Sequence, residues 1–249
     1  MNSSLLSGSP DAWRKRLLGR VVIVSPHLDD AVMSLGATIA WAVQAGAKIE
    51  VLTVFTCQPS SDAPAGPWDK NCGYDTEGEQ ATARREEDRQ ACLLLGAKPC
   101  WLNFGAEPYE RRGSDEDIWS AVQAATESAD LVLVPGYPLL HPDHAYLSEL
   151  LLRKGLPGRR TVLYAEQPYS YTHNMAASGS AVAAPLKSVI NAPISWTRVR
   201  TERTHRQAKL KAVRCYRTQL RHLGLRNIGL YRMLWRERGQ GGEAVAWLS

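Results

Sequence analysis

Short, uninterrupted apolar segments alternate along this chain with longer segments of helical periodicity. The first, at 21–24, consists of four β-branched residues and ends at Ser25-Pro26, as expected of a strand that is buried on both faces. Residues 31–44 then carry apolar side chains at helical spacing, and 48–55 is largely apolar again. We therefore predict a strand, a helix and a second strand, which together form a βαβ unit.

The alternation continues as far as residue 134 and defines the fold class. Strands that alternate with helices assemble into an α/β fold with a Rossmann-like, doubly wound, mostly parallel sheet and helices on both faces. No change of composition divides the chain, so we expect a single domain over 1–249, with a disordered tail at 1–10. The further predicted elements are a helix at 79–95, a strand at 98–104, a helix at 114–128 and a strand at 130–134.

Two long segments lack either periodicity. Residues 57–78 and 166–193 are rich in small and turn-forming residues. Loops of this length in a compact domain are usually functional. We expect the first to form a lid beside the functional site and the second, which contains Tyr169 and His173, to form the other wall of the pocket. A last long helix is predicted at 199–223.

Charge and cysteine content narrow the function classes only slightly. A net charge of +5 permits acidic ligands but is small for a dedicated nucleic-acid-binding protein. The N-terminal segment lacks a basic stretch followed by an apolar core, so neither a signal peptide nor a membrane span is expected there. Five cysteines without a Cys-x-x-Cys pair indicate reduced thiols and a cytoplasmic location.

The first predicted strand is followed directly by His27, Asp29 and Asp30. In open α/β sheets, ligands bind at the edge formed by the carboxyl ends of the strands. His27 and Asp30 are three residues apart at the start of a helix and can share one ion, whereas Asp29 is rotated off that face. For the two acids alone, helix capping is the alternative interpretation.

A second cluster, His141-Pro142-Asp143-His144, follows the predicted strand at 130–134 in the same way. Pro142 suits the first position of a helix with His141 as its cap, so that His141 and His144 lie one turn apart. If the strands are ordered 3-2-1-4-5, the strands that precede the two clusters are neighbours where the winding reverses. Both clusters then converge, and a metal site is favoured over two incidental helix starts.

Two histidines and one aspartate would leave one position open on a tetrahedral zinc ion, which is typical of catalytic and not of structural sites. Zinc polarises a carbonyl and lowers the pKa of water. Asp29, which is left off the metal, is the candidate general base. His141 is placed to donate to a developing oxyanion or to a leaving amine, with Asp143 near enough to hold its tautomer.

At these positions the chain resembles the PIG-L or LmbE-like N-deacetylases. Residues 26–30 match the family's Pro/Ala-His-x-Asp-Asp motif, and residues 141–144 match its second motif. The resemblance covers most of the chain and implies a hydrolase that removes acetyl from an N-acetylated amino sugar or its conjugate, such as an N-acetylglucosamine precursor in thiol-cofactor or antibiotic biosynthesis. It implies Zn²⁺ as the cofactor, although such ligands also accept other divalent transition metals.

The resemblance assigns roles residue by residue. Carried over from the family, the zinc ligands are His27, Asp30 and His144. Asp29 takes the role of the base, and His141 takes that of the oxyanion donor.

The candidate substrate contacts follow from weaker matches. Residues 84–87 are similar to the family's Arg-x-x-Glu helix, whose arginine, here Arg84, can contact substrate. Tyr169 and His173 of the second long loop complete this set. At 105–108 the chain lacks the Asp-Gly that the family often has there, so its sugar contacts are expected to differ.

The predicted helix at 199–223 carries the one basic stripe that could suggest nucleic-acid binding. No ladder of aromatic residues accompanies it, so a solvated face or the rim of a site for an acidic substrate is favoured. Its basic residues are Arg200, Arg203, Arg206, Lys209, Lys211, Arg214, Arg217 and Arg221.

Three classes of hypothesis therefore stand: a zinc hydrolase, a nucleotide-binding Rossmann enzyme and a nucleic-acid-binding module. The leading one is a zinc-dependent N-deacetylase, and an amidase that cleaves a different amide conjugate at the same zinc site is its alternative. The third is a basic nucleic-acid-binding Rossmann-like module. A nucleotide-binding enzyme is disfavoured because the first strand-to-helix turn lacks glycines. The expected partner is a small-molecule amino-sugar conjugate, without nucleic acid or a membrane span; homo-oligomerisation is left open.

Overall fold

The computed structural model, which describes residues 15, 17–172, 182–191, 194–225 and 228–248, contains one seven-stranded sheet. The strands are β1 (Arg20–Ser25), β2 (Lys48–Thr53), β3 (Lys98–Trp101), β4 (Leu131–Tyr137), β5 (Arg160–Ala165), β6 (Trp196–Val199) and β7 (Glu243–Trp247). The helices are α1 (Asp30–Gln44), α2 (Pro67–Asn71), α3 (Glu77–Leu95), α4 (Asp115–Ala125), α5 (Pro142–Lys154), α6 (Tyr169–Thr172), α7 (Arg203–Val213), α8 (Arg217–His222) and α9 (Ile228–Gly239), with a 3₁₀ turn at Ala184–Leu186.

The strand order is β3-β2-β1-β4-β5-β7-β6. Strands β1 to β5 run parallel, whereas β7 pairs antiparallel with both β5 and β6. As predicted, β1 lies beside β4, and the winding of the chain reverses between these two strands. The predicted doubly wound, mostly parallel α/β sheet is therefore confirmed.

Alternate residues of β1 face opposite layers of the core. Val21 and Ile23 pack among apolar side chains of α1, α3, α7 and α9 on one face of the sheet. Val22 and Val24 pack among those of α4 and α5 on the other face. Because both faces of β1 are covered by helices, Val21 to Val24 are all apolar and no alternation is visible in the sequence.

The ends of α3 and the start of α4 coincide with local sequence signals. Thr76 and Glu79 form a capping box at the start of α3, in which the Thr76 hydroxyl accepts from the Glu79 amide at 3.2 Å. Gly96 ends this helix with φ 75°, and a side chain at this position would approach Val43 to 2.7 Å. Ser114 caps α4, as predicted. Local chemistry thus determines where these helices begin and end.

The prediction of one helix over 199–223 is wrong. Val199 ends β6, and the chain then forms two separate helices, α7 and α8, with residues 214–216 between them. Tyr216 is fully buried, and its hydroxyl donates to Asp88 Oδ1 at 2.7 Å. This buried anchor turns the chain without the proline or glycine that usually marks a helix break in a sequence.

Lys209 does not belong to a solvated basic face. Its side chain is fully buried on α7, and its ammonium donates to Glu237 Oε2 at 2.8 Å and to Glu243 Oε1 at 2.7 Å. Glu243 also accepts from the backbone amides of Ala37 and Thr38, at 2.9 and 2.7 Å. The basic stripe is therefore interrupted by a buried ion network that ties α7 to α1, α9 and β7.

The two long segments contain more regular structure than predicted, since α2 lies within 57–78 and α6 lies within 166–193. The predicted tail at 1–10 lies outside the described residues, as does 173–181. In the described part of the chain, no helix is both long enough and apolar enough to cross a bilayer. The assignment of 1–249 to a single domain stays a prediction.

Candidate metal and catalytic site

The two histidine-bearing turns meet at the carboxyl edge of the sheet because β1 and β4 are neighbours. The first turn is held by Ser25, whose hydroxyl donates to the His27 carbonyl at 2.7 Å and accepts from the Ala31 amide at 3.0 Å. The His27 ring centroid lies 4.8 Å from that of His141 and 5.0 Å from that of His144. Residues more than a hundred positions apart thus form one cluster, as predicted.

The side chains of His27, Asp30 and His144, which we call the triad, present ligand atoms at the spacing of a metal site. Nδ1 of His27 lies 3.5 Å from Oδ2 of Asp30 and 3.1 Å from Nε2 of His144, and the last two atoms are 3.1 Å apart. A tetrahedral zinc ion with bonds of about 2.0–2.1 Å separates its ligand atoms by about 3.3 Å. The residues therefore fit a zinc ion without rearrangement.

Each imidazole of the triad turns one nitrogen, the inner one, toward the other ligand atoms. Its other nitrogen, the outer one, faces a buried carboxylate. Nε2 of His27 donates to Asp143 Oδ2 at 3.0 Å, and Nδ1 of His144 donates to Glu166 Oε1 at 2.5 Å. A carboxylate only accepts, so the outer nitrogen carries a proton, and in the neutral ring the inner nitrogen keeps its lone pair. Histidines that bind metals are usually oriented in this way.

The triad attracts positive charge. Burial lowers the pKa of His144, but the carboxylates of Asp30 and Glu166 outweigh burial and raise this pKa well above its ordinary value. Burial likewise opposes ionisation of Asp30, yet His144 and His27 hold the pKa of Asp30 far below its usual range. A divalent cation would satisfy the same negative field that a proton satisfies here.

Asp29 stands apart from these contacts. It precedes α1 with φ 142°, is 7% exposed and makes no side-chain capping bond, so the capping interpretation is not what the structure shows for this residue. Asp29 is one of the residues that line the cavity beside the triad. Burial, reinforced by the charge of Asp30, raises the pKa of Asp29 well above its usual value, which favours uptake of a proton.

His141 occupies the N-cap of α5, and Nδ1 of its ring accepts from the Asp143 amide at 3.2 Å. Partial burial and the charges of His27 and His144 lower the pKa of His141 to about 4, so the ring is neutral at pH 7. A neutral imidazole that accepts at Nδ1 carries its proton on Nε2. His141 also offers a third imidazole nitrogen within 4.8 Å of those of His27 and His144.

Asp143 holds the tautomer of His141 through its backbone amide, which donates to Nδ1, and not through its carboxylate. That carboxylate accepts from His27 Nε2 and pairs with Arg111 at 2.6 Å, and only the backbone amide of Asp143 contacts His141. The N-cap geometry of α5 is the reason, because it turns the Asp143 side chain away from the capping ring. Arg111 lies over the rings of Phe55 and Tyr146, at 4.5 and 4.6 Å, and sequence reasoning missed it.

Glu166 was also missed, although its signal is present. It directly follows β5, which is the neighbour of β4, so it occupies the same carboxyl edge as the two motifs. An acid after an apolar strand is the signal that identified Asp29 and Asp30.

A cavity of about 460 Å³ opens beside the triad, within the size range of small-molecule sites. Arg84 and Tyr169 line it as predicted, and His173 lies outside the described residues. The predicted lid contributes two residues of α2, Trp68 and Asp69, to its wall. Further lining residues are Met33, Phe55, Gln80, Tyr109, Gln219 and Leu223.

Arg84 is not a free cation in this cavity. Its guanidinium pairs with the buried carboxylate of Asp69, which also accepts from the Tyr109 hydroxyl at 2.6 Å. The hydroxyl in turn accepts from the Gly66 amide at 2.8 Å. The cavity wall at Asp69 and Arg84 therefore presents a charge-neutral ion pair among aromatic and amide side chains, which suits a polar uncharged group such as a sugar ring.

The two motifs lie within a single family match. The family model described as PIG-L, GlcNAc-PI de-N-acetylase, matches residues 22–153, which include both histidine-bearing turns. The chain belongs to the PIG-L family. Glu166 and Tyr169 fall beyond the matched range, so part of the site of this PIG-L protein comes from its remaining, less similar segment.

Three relatives of this PIG-L protein, one curated and two solved, are named as deacetylases. It is 28% identical over 188 residues to 2′-N-acetylparomamine deacetylase from Niallia circulans, which covers 61% of this chain and 68% of the relative. It is 27% identical to the crystal structure of the A40926 pseudoaglycone deacetylase Dbv21, with a TM-score of 0.73 over 92% of this chain and 96% of that one. The zinc-inhibited form of teicoplanin deacetylase Orf2 shares the fold, with 21% identity, a TM-score of 0.72 and coverage of 92% and 97%.

Proposed function

We propose that this PIG-L family deacetylase is a zinc-dependent hydrolase that removes the acetyl group from an N-acetylated amino sugar or amino-sugar conjugate. The observation that supports it best is the spacing of the three ligand atoms of His27, Asp30 and His144, with Asp29 unengaged beside them. The relatives named for acetylparomamine and for a glycopeptide pseudoaglycone support an N-acetylated sugar as the substrate.

The metal ligands in this proposal are His27, Asp30 and His144. Bound there, zinc would supply Lewis acidity toward a carbonyl and would make water more acidic. Asp143 and Glu166 accept from the outer nitrogens of the two histidines, so that the inner nitrogens face the metal position, and they hold both rings in place.

Two residues beside the triad, Asp29 and His141, provide proton transfer and stabilisation of negative charge. Asp29 takes the proton of the attacking water as that water adds to the acetyl carbon. Nε2 of His141 donates a hydrogen bond to the oxygen that becomes negative in the tetrahedral intermediate. As the carbon–nitrogen bond breaks, Asp29 passes the proton to the departing amine, so that the products are acetate and the free amino sugar.

The Asp69–Arg84 pair and Tyr169 are assigned to substrate binding in this proposal. Asp69 can accept and Arg84 can donate to neighbouring hydroxyl groups, and Tyr169 closes the cavity near the ring of His144, with ring centroids 6.2 Å apart. His173 remains a predicted contact. The five cysteines are thiols and form no disulfide, and the cytoplasmic location argued from them stays a prediction.

The experiment that tests the proposal measures metal content and chemistry together. Protein purified without added metal is analysed for zinc, iron and cobalt, and acetate release is measured over a panel of N-acetylated amino sugars and their conjugates. We expect one zinc per chain and acetate release from at least one sugar. Cleavage of non-sugar amides alone would favour the alternative amidase, and metal-free protein that releases acetate would overturn the zinc assignment.

A further inference from the structure

The outer face of α9 is apolar where a surface helix is normally polar. Leu230, Met233 and Glu237 of this helix are buried against the rest of the protein. At about 100° per residue, the opposite side is occupied by one apolar stripe. The stripe consists of Ile228, Tyr231 and Trp235, which are 66%, 51% and 72% exposed.

Positive charge borders this stripe on both sides. By helical position, Arg232 and Arg236 lie on one flank and Arg238 on the other, and all three are exposed. The acid of α9, Glu237, is buried against Lys209 and does not reach this surface.

A basic residue of α7–α8 continues the positive border. The guanidinium of Arg214 lies 5.4 Å from the centre of the Tyr231 ring and donates to the Tyr231 hydroxyl at 2.5 Å. Lys211 and Arg217 are exposed on the same two-helix segment. The aromatic and aliphatic stripe is thus bordered by arginines from two segments of the chain.

This helix also supports one wall of the catalytic cavity. Glu237 Oε2 accepts from the side-chain amide of Gln167 at 3.2 Å, and α9 packs against α6, whose first residue, Tyr169, lines the cavity. A surface that docks through α9 would therefore lie close to the segment that borders the cavity.

We propose that the outer face of α9 docks on the surface of an anionic lipid bilayer. A helix with Trp, Tyr and Ile on one stripe and arginines beside it is suited to the interfacial plane, where the rings enter the headgroup region and the guanidinium groups reach lipid phosphates. Each basic residue near such a surface adds favourable attraction.

Two observations favour a lipid surface over other occupants. Three apolar side chains are a small part of the roughly 20–30 residues a side that a stable protein interface uses, which argues against a second copy of this chain. One member of the stripe, Ile228, is aliphatic, and the side chains of the stripe follow the axis of a helix. The stripe therefore provides no stacking platform of the kind that single-stranded nucleic acid requires. The proposal does not depend on the deacetylase assignment, because vesicle binding is measured without substrate.

The test is co-sedimentation of the full chain with vesicles of phosphatidylcholine alone or mixed with phosphatidylglycerol, at 0.15 M salt. We expect binding to the anionic vesicles and little binding to the neutral ones. Trp235→Ser should weaken the binding by about tenfold or more, because a large apolar side chain no longer enters the interface. Arg232→Glu should weaken it as well and should reduce the difference between binding to anionic and to neutral vesicles.

Leu18→Ser is the matched control. Leu18 is 48% exposed but lies before β1, at the edge of the sheet opposite the site, so this variant should bind vesicles as the parent protein does. Circular dichroism and metal content establish that the α9 variants are folded.

Three outcomes would overturn the proposal: no binding to anionic vesicles by the parent protein, equal binding to neutral and anionic vesicles, or binding that Trp235→Ser leaves unchanged. Capture of a random oligonucleotide in place of vesicles would assign the surface to nucleic acid. A dimer that Trp235→Ser dissociates, without vesicle binding, would assign it to a second copy.

Discussion

The buried carboxylate of Asp143 accepts a hydrogen bond from Nε2 of His27 across 3.0 Å, although the two residues are 116 positions apart. This contact leaves Nδ1 of the same ring facing Asp30 and His144. Asp143 of the second motif therefore orients His27, a candidate ligand from the first motif. The two motifs thus form a single structural unit.

We predict that Asp143→Asn weakens zinc binding by about 10–100-fold while the fold is retained. The amide keeps the shape of the side chain but offers one acceptor oxygen to three donors, Arg111, His27 and the Glu107 amide. Competition with a chelator measures the affinity, and Glu116→Gln, an exposed change on α4, serves as the control. Unchanged affinity in Asp143→Asn would show that this contact does not support the metal.

The ligand assignment itself predicts metal content. His27→Ala and His144→Ala should each lose stoichiometric zinc, because two remaining ligands from the triad do not hold the ion tightly. His173→Ala should retain it. Elemental analysis of protein purified without added metal makes the comparison, and full zinc in both triad variants would place the ion elsewhere.

How much of the structure can be predicted from the sequence depends on whether the interactions that determine a feature are local or follow from the strand order. The strand order and the convergence of residues 26–30 with 141–144 could be predicted, because parallel strands end at one edge and the winding reverses there. The helix starts at His141 and Ser114 could also be predicted, since a cap acts on amides only a few residues away.

The features that could not be predicted depend on distant packing. The break between α7 and α8 rests on the buried contact of Tyr216 with Asp88, 128 positions away, and no residue at the break signals it. Lys209 looks like one of a row of surface cations until the fold brings Glu237 and Glu243 to it. A periodic pattern shows that a residue is polar but not which partner it will meet.

Arg84→Lys should raise KM by about tenfold and leave kcat nearly unchanged. Arginine is expected to bind the sugar through a planar guanidinium held by Asp69, and lysine cannot reproduce that geometry, while neither group touches the reacting atoms. Arg89→Lys, on the exposed side of the same helix, is the matched control. A fall in kcat with KM unchanged would place Arg84 in the chemical step instead.

The buried ion network of Lys209 predicts a pH dependence of stability. Burial raises the pKa of Glu237 from the ordinary 4.5 to about 7, so between these values the folded protein holds a proton that the unfolded chain releases. The free energy of unfolding should therefore fall as pH rises through this window.

Glu237→Gln removes that titration. Between pH 5 and 7, the parent protein should lose about 2 kcal/mol of unfolding free energy relative to this variant. Urea denaturation at several pH values measures the difference, with Glu116→Gln as the exposed control. Parallel pH profiles for the parent and Glu237→Gln would mean that Glu237 is ionised throughout, with Lys209 outweighing its burial.

The last prediction separates two adjacent aspartates. Asp30 points at both imidazoles of the triad, whereas Asp29 faces the cavity without a capping bond. Asp29→Asn keeps the shape of the side chain but cannot accept a proton from water, so it should retain zinc and lose about a hundredfold or more in kcat. Asp30→Ala should lose the metal itself. Turnover and zinc content are measured on the same preparations, because near-normal turnover in Asp29→Asn, or loss of zinc equal to that of Asp30→Ala, would show that Asp29 is not the base.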